Sequence, residues 1–344
     1  MAEASQSQCS GRKIYLILAG WVALIGIAVA AHWPYGDKRE ACATSRPDAT
    51  ATQMSDNAFA PTRSNHAAEN KQGTEQTFRV ELLTELENSI PSVFRHTQEN
   101  HISQAEQLRP AAAILRSGQR PLRVMQIGDS HVAGKTFPQT LKQTLCKYLG
   151  EAEDADSGSG IWFSYFGSNG ATTQRFLTPA YMEKFSAKNP DLIILSLGTN
   201  EAHGMGYRKD LHEKQLDTFL TQLREACPDA TIMLTTPPGD YLSTAHVSYR
   251  RTSRSNKKKR YVHYTKRPNP MSARCSELLA EYGETHRMPV WNMFDICGGE
   301  DAAHRNWVTA HYMRADRIHF EPQGYTVQGK LLGEALARAF STGC

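Results

Sequence analysis

Short apolar runs alternate along this chain with longer stretches in which apolar residues recur every three or four positions. Five runs read as strands: 122–127 (LRVMQI), 161–166 (IWFSYF), 191–197 (DLIILSL), 230–236 (ATIMLTT) and 288–292 (MPVWN). Helical spacing lies between them at 134–149, 173–187, 210–226 and 271–286, and a last helix is predicted at 322–340. Strand and helix alternating at this spacing predict an α/β fold, a parallel sheet of about five strands covered by helices on both faces. Ligands of such sheets bind beyond the carboxyl ends of the strands, so the residues just after each strand are the ones to inspect.

The first third of the chain has a different pattern. Residues 14–31 (IYLILAGWVALIGIAVAA) are uncharged and mostly apolar, long enough to cross a bilayer. Arg12 and Lys13 precede them, while the charges that follow (Asp37, Lys38, Arg39, Glu40) cancel. The positive-inside rule then predicts a cytoplasmic stretch at 1–13, a single-pass signal anchor at 14–32, and the rest of the chain outside the cytoplasmic membrane. Ala28-Val29-Ala30 also resembles a signal-peptidase site, so cleavage is the competing reading. Residues 33–75, rich in Ala, Ser, Thr, Asn and Gln without apolar period, read as a disordered linker. Residues 76–120 read as a helical lead-in with helices FRVELLTELENS and ISQAEQLRPAAAILRS, and 121–344 as the main domain.

The strand ends carry the candidate chemistry. After the first strand stands Gly128-Asp129-Ser130-His131, after the second Gly167-Ser168-Asn169-Gly170-Ala171-Thr172-Thr173, and after the third Gly198-Thr199-Asn200-Glu201. Asp316-Arg317-Ile318-His319 precedes the last helix. Acyl transfer through serine needs a nucleophile, a base, a carboxylate that holds the base in one tautomer, and donors for the oxyanion. Ser130, His319 and Asp316 can fill the first three roles. The backbone N–H groups of Ser130 and Gly170 and the side-chain amide of Asn200 can fill the last. Each residue has an ordinary reading as well: Ser130 as a helix cap, Asp316 as a loop cap, His319 as a half-buried structural histidine, Gly170 and Asn200 as turn residues. Their joint occurrence, each after an element of the predicted sheet, favours the catalytic assignment.

These four segments resemble the four motif blocks of the SGNH hydrolases, the GDSL esterase/lipase family: Ser130 in "GDSH", Gly170 in "GSNGATT", Asn200 in "GTNE", Asp316 and His319 in "DRIH". The resemblance spans about residues 121–341. It implies a flavodoxin-like three-layer α/β/α sandwich with the roles assigned above and no cofactor. His131 stands where the family usually has Leu and Glu201 where it usually has Asp. With the segment at 14–32, the phrases "IGDSH", "NGATT" and "SLGTNEA" are similar to envelope-associated bacterial members acting on acetylated cell-wall or surface glycans.

Charge adds one feature. Residues 250–267 (RRTSRSNKKKRYVHYTKR) hold nine Lys or Arg and no acid, and subtracting these from the net +4 leaves −5 on the remainder. This insert, 240–270, reads as a solvated loop or as a patch that attracts an anionic polymer or membrane surface; a nucleic-acid reader is not expected, since no binding module accompanies it. Asp129, His131, Glu201, His203, Asp240 and Trp307 are further candidates to touch substrate. Trp162, Phe163, Tyr165 and Phe166 read as core. Seven cysteines without C-x-x-C or Cys/His zinc spacing give no metal site, and the six on the exported side allow one or two disulfides or buried thiols. The sequence therefore predicts a membrane-anchored serine esterase that removes O-acyl groups, chiefly acetyl, from an envelope polysaccharide such as peptidoglycan. An O-acetyltransferase with the same triad and a non-catalytic envelope-binding protein are the alternatives.

Overall fold

The computed structural model describes residues 90–95, 98–251 and 257–341. The expected anchor at 14–32, the linker at 33–75 and the first lead-in helix lie outside the described residues, as do Cys9, Cys42 and Cys344. Among the described residues no helix is long and apolar enough to cross a membrane.

The strands are β1 (Leu122–Gly128), β2 (Ile161–Gly167), β3 (Leu192–Ser196), β4 (Thr231–Thr235), β5 (Tyr241–Arg251), β6 (Lys258–Pro268) and β7 (Val290–Trp291). Five of them form one parallel sheet in the order β2-β1-β3-β4-β7. Counting only strands of that sheet, the order is 2-1-3-4-5, which reverses direction between the first and third and opens a crevice at their carboxyl ends. The helices are α1 (Arg109–Ser117), α2 (Ser130–Ala133), α3 (Thr136–Leu149), α4 (Thr173–Phe176), α5 (Pro179–Ser186) and α6 (Thr199–Ala202). After them come α7 (Lys209–Ala226), α8 (Pro270–Thr285), α9 (Met293–Ile296), α10 (Gly299–Thr309) and α11 (Pro322–Ser341).

Side chains alternate across the sheet and divide the core in two. Val124, Ile194 and Met233 point to one face, where they join Phe137, Leu141 and Leu145 of α3 and Leu332, Leu336 and Phe340 of α11. Met125, Ile127, Ile193 and Leu195 point to the other, against Phe219, Leu220 and Leu223 of α7 and Leu279 of α8. The strands are apolar on both sides because both sides are covered. The edge strand β2 differs: Trp162, Phe163, Tyr165 and Phe166, expected in the core, are only half-buried.

Prolines redraw two expected helices. The stretch at 173–187 divides into α4 and α5 because Pro179 has no N–H to continue a helix; Thr178 caps the new start, its hydroxyl accepting from Tyr181 N. Likewise Pro110 opens α1, leaving a 3-10 turn at Ala105–Leu108 before it. The run at 288–292 pairs over only Val290–Trp291. The basic insert is not a loop: β5 and β6 form an antiparallel hairpin from the Tyr241–Pro268 pair to the Arg251–Lys258 pair. Cys146, Cys227, Cys275 and Cys297 are free thiols, so no disulfide forms among the described residues.

The amino ends of β1 and β3 are tied by Asp191, which is 7% exposed. Arg120 donates to both its oxygens (2.7 and 2.8 Å), and the Arg123 backbone N–H adds a third bond (2.9 Å). Burial pushes the Asp191 carboxyl up, but the arginine hydrogen bonds outweigh it and hold the pKa below the ordinary carboxylate value. Asp191→Ala is expected to lower the unfolding free energy by about 3 kcal/mol at pH 7, leaving the largely buried Arg123 guanidinium with only the exposed Asp156 carboxylate, 3.7 Å away. A carboxylate with a depressed folded pKa stabilises above its unfolded pKa and loses that contribution as pH falls through the folded value. Urea unfolding should therefore show the difference between parent and variant shrinking below about pH 4.

Candidate active site

The carboxyl end of β1 turns directly into α2, placing Ser130 in the first helical turn. Two glycines allow this close turn. A Cβ on Gly128 would lie 2.3 Å from Val132 Cγ2, and one on Gly167 would lie 2.2 Å from the Ala133 nitrogen, so α2 settles onto the ends of β1 and β2 only because those side chains are missing. Asp129 is the N-cap, its Oδ1 accepting from the His131 N–H at 2.9 Å. The cap is therefore Asp129, and the Ser130 hydroxyl is left for other partners.

That partner is His319. Ser130 Oγ lies 3.0 Å from His319 Nε2, and His319 Nδ1 lies 2.8 Å from Asp316 Oδ2. The other carboxylate oxygen of Asp316 accepts from the backbone N–H groups of Ile318 and His319, both at 2.9 Å. Burial raises the Asp316 pKa, but these bonds prevail and hold it below the ordinary value, so Asp316 is an anion at neutral pH. The fixed carboxylate makes Nδ1 the protonated nitrogen and leaves Nε2 free to accept from Ser130. The loop takes this shape with Arg317 at φ 63° and the Tyr241 N–H donating to the Arg317 carbonyl (3.0 Å).

Gly170 sits in an exposed turn at φ 68° with no atom near its α-carbon face. Asn200, from the first turn of α6, uses both amide hydrogens: Nδ2 donates to the Ala171 carbonyl (2.9 Å) and, over a longer contact, to Asp129 Oδ2 (3.3 Å). It thereby joins the ends of β1, β2 and β3. Glu201, a candidate to touch substrate, turns inward and accepts from the Thr173 and Gly198 N–H groups (2.8 and 3.0 Å). Burial drives both carboxyls, Asp129 and Glu201, up to about 7, against the hydrogen bonds that favour their anions.

His131 is 4% exposed, its Nδ1 3.1 Å from the Tyr325 hydroxyl and its ring 5.8 Å from that of His319. Burial, reinforced by the charge of His319, pushes it down to about 3, so it packs as a neutral ring. His203 and Asp240 form a pair of their own, with the imidazole Nδ1 on Asp240 Oδ2. Asp240 is 2% exposed and accepts from Asn269 Nδ2 (2.8 Å) and Ser272 Oγ (2.7 Å), while the His203 side chain is 39% exposed. Trp307, expected at the substrate, is fully buried instead, its indole N–H donating to the Pro238 carbonyl at 3.0 Å. Tyr325 and Asn269 escaped the sequence reading. Asn269 before Pro270 had the form of a helix cap, whereas nothing local marks Tyr325 as the partner of His131.

A family model described as the GDSL-like Lipase/Acylhydrolase family matches residues 127–327. Among solved structures, a peptidoglycan O-acetylesterase is similar at 16% identity, covering 75% of this chain and 98% of its own, with a TM-score of 0.53. A GDSL-like lipase from Bacteroides thetaiotaomicron is 15% identical over 69% of this chain and 100% of its own (TM-score 0.37). The periplasmic domain of a lipopolysaccharide acetyltransferase from Salmonella ser. Paratyphi A is 13% identical over 67% and 94% (TM-score 0.39). No curated protein matches the chain.

The raised carboxyl of Asp129 gives a pH signature. Between its unfolded pKa of about 4 and the folded value, the folded state keeps a proton that the unfolded chain has released, so this group erodes stability as pH rises through that window. Asp129→Asn removes the ionisation. Relative to the parent, its urea midpoint is expected to rise from pH 5 to about pH 7 and then level off; a constant offset would mean that Asp129 is ionised throughout.

Proposed function

The chain belongs to the GDSL-like lipase/acylhydrolase family, and from that premise we propose that it is a serine esterase removing O-acetyl groups from an envelope polysaccharide such as peptidoglycan. The observation that carries the reading is the relay from Ser130 through His319 to Asp316. Ser130 Oγ attacks the ester carbonyl as His319 Nε2 takes its proton, and Asp316 stabilises the imidazolium. The developing oxyanion is met by the N–H groups of Ser130 and Gly170 and by Asn200, whose long contact to Asp129 is the one an oxyanion displaces. His319 then protonates the departing sugar hydroxyl. Water, deprotonated by the same imidazole, opens the acyl-enzyme to release acetate and restore Ser130.

A bulky substrate is supported by how shallow the relay is. The Asp316 and His319 side chains are 45% and 34% exposed, so a polymer can lay an ester against Ser130 without entering a tunnel. The apolar segment at 14–32 supports a place at the bacterial envelope, with the catalytic domain in the periplasm.

Ser130→Ala is expected to reduce acetate release from O-acetylated peptidoglycan, and from p-nitrophenyl acetate, at least ~10³-fold. Asp316→Asn should cost ~10²- to 10⁴-fold through loss of the productive tautomer. A Ser130→Ala protein as fast as the parent would show that another group is the nucleophile.

A further inference from the structure

The β5–β6 hairpin, which follows β4 in the chain, has no place in the acyl transfer, yet its root is hydrogen-bonded to the loop that carries Asp316 and His319. At its root the Tyr241 N–H donates to the Arg317 carbonyl, and Lys266 Nζ donates to the carbonyl of Ala315. Beyond Leu242, which is buried, the described residues of both strands are exposed. A two-stranded ribbon with neither face on a core is marginal in water.

Its charges make the arrangement more costly. No Asp or Glu occurs from 241 to 268. The register sets Arg250 directly opposite Lys259 and Arg251 opposite Lys258. Like charges facing each other across an antiparallel pair are destabilising, and a bound polyanion relieves that repulsion. The positive positions run from Lys266 and Arg267 at the root to Lys258 at the far end, eight residues or about 26 Å along the strand. Between them Tyr249, Tyr261 and Tyr264 are 63%, 42% and 59% exposed, presenting apolar ring faces among the cations.

We infer that this hairpin is a docking arm for a polyanionic acylated glycan, holding the polymer along its length so that an ester lies at Ser130. The inference rests on the esterase reading for its substrate and adds that the polymer is acidic. Charge complementarity selects an anion. A basic track whose root is hydrogen-bonded to the triad loop favours an extended substrate polymer over a membrane surface, because that root lies beside the loop that holds the reacting groups.

The test uses the full-length protein in a neutral detergent and a variant with Arg250→Glu, Arg251→Glu, Lys258→Glu and Lys259→Glu, four positions far from the triad. Binding is read with fluorescein-labelled alginate, and turnover with O-acetylated alginate, O-acetylated dextran and p-nitrophenyl acetate. The charge reversal should weaken alginate binding and raise KM for acetylated alginate about tenfold or more, leaving kcat, acetylated dextran and p-nitrophenyl acetate unchanged. The parent's affinity should fall with salt and the variant's should not. A second variant, with Gln at the same four positions, removes the cross-strand repulsion and should still bind weakly, which separates loss of charge from loss of the hairpin. Equal alginate binding by parent and variants overturns the inference. So does a variant that loses only its affinity for phosphatidylglycerol vesicles. A parent without esterase activity would sink the esterase reading alone, since alginate binding decides the arm by itself.

Discussion

The buried carboxyl of Asp129 is the point on which the site depends. One oxygen caps the turn that carries Ser130, and the other receives the Asn200 amide, which also holds the Ala171 carbonyl. Three strand ends that are far apart in sequence thus meet through two side chains, Asp129 and Asn200. Glu201, in the same turn of α6 as Asn200, repeats the device by gathering the N–H groups of Thr173 and Gly198. Two carboxyls in so dry a place are expensive, and the cost is visible in their raised pKa values. The return is geometry: a Ser130 hydroxyl freed from capping and a rigid floor of strand ends beside it.

How much of this was legible follows from where the information lies. The strand ends could be read because a parallel sheet buries continuous apolar runs, and those runs stop where the chain reaches the active edge. The meeting of Ser130, Asp316 and His319 could be expected because a serine–histidine–carboxylate relay requires those residue types. The inward turn of Glu201 could be read only in part: Gly198, three residues before it, is a local capping partner, whereas Thr173 comes from another strand end and meets it only after folding. Trp307 looked like a pocket wall because aromatic side chains serve substrates and cores equally; its burial is decided by Phe94 and Phe320, whose rings lie 4.9 and 4.8 Å away. The prolines were visible throughout, and the helix breaks at Pro110 and Pro179 follow from backbone chemistry alone.

The hairpin was hidden for the opposite reason. Strands are recognised by apolar or alternating residues, and β6 up to its terminal Pro268 is made of Lys, Arg, His, Thr and Tyr with a single Val. It forms because cross-strand pairs such as Val247 with Val262 and Ala245 with Tyr264 match on one face, and because Asp240 and Asn269, hydrogen-bonded at 2.9 Å through the backbone, pin its two ends together. Asp240 is itself locked by Asn269, Ser272 and His203, so the root of the arm is as firm as its length is exposed.

That root makes the loop of Asp316 and His319 a shared element. On one side it aligns the imidazole with Ser130, and on the other its carbonyls at Ala315 and Arg317 take hydrogen bonds from the hairpin. A ligand lying along the arm therefore pulls on the same backbone that sets the distance from His319 to Ser130. Near-attack geometry is sensitive to shifts well below 1 Å. A loop braced at two carbonyls resists such shifts better than a free one, and the exposed position of Asp316 makes that bracing matter, because little packed protein stands behind the carboxylate to hold it.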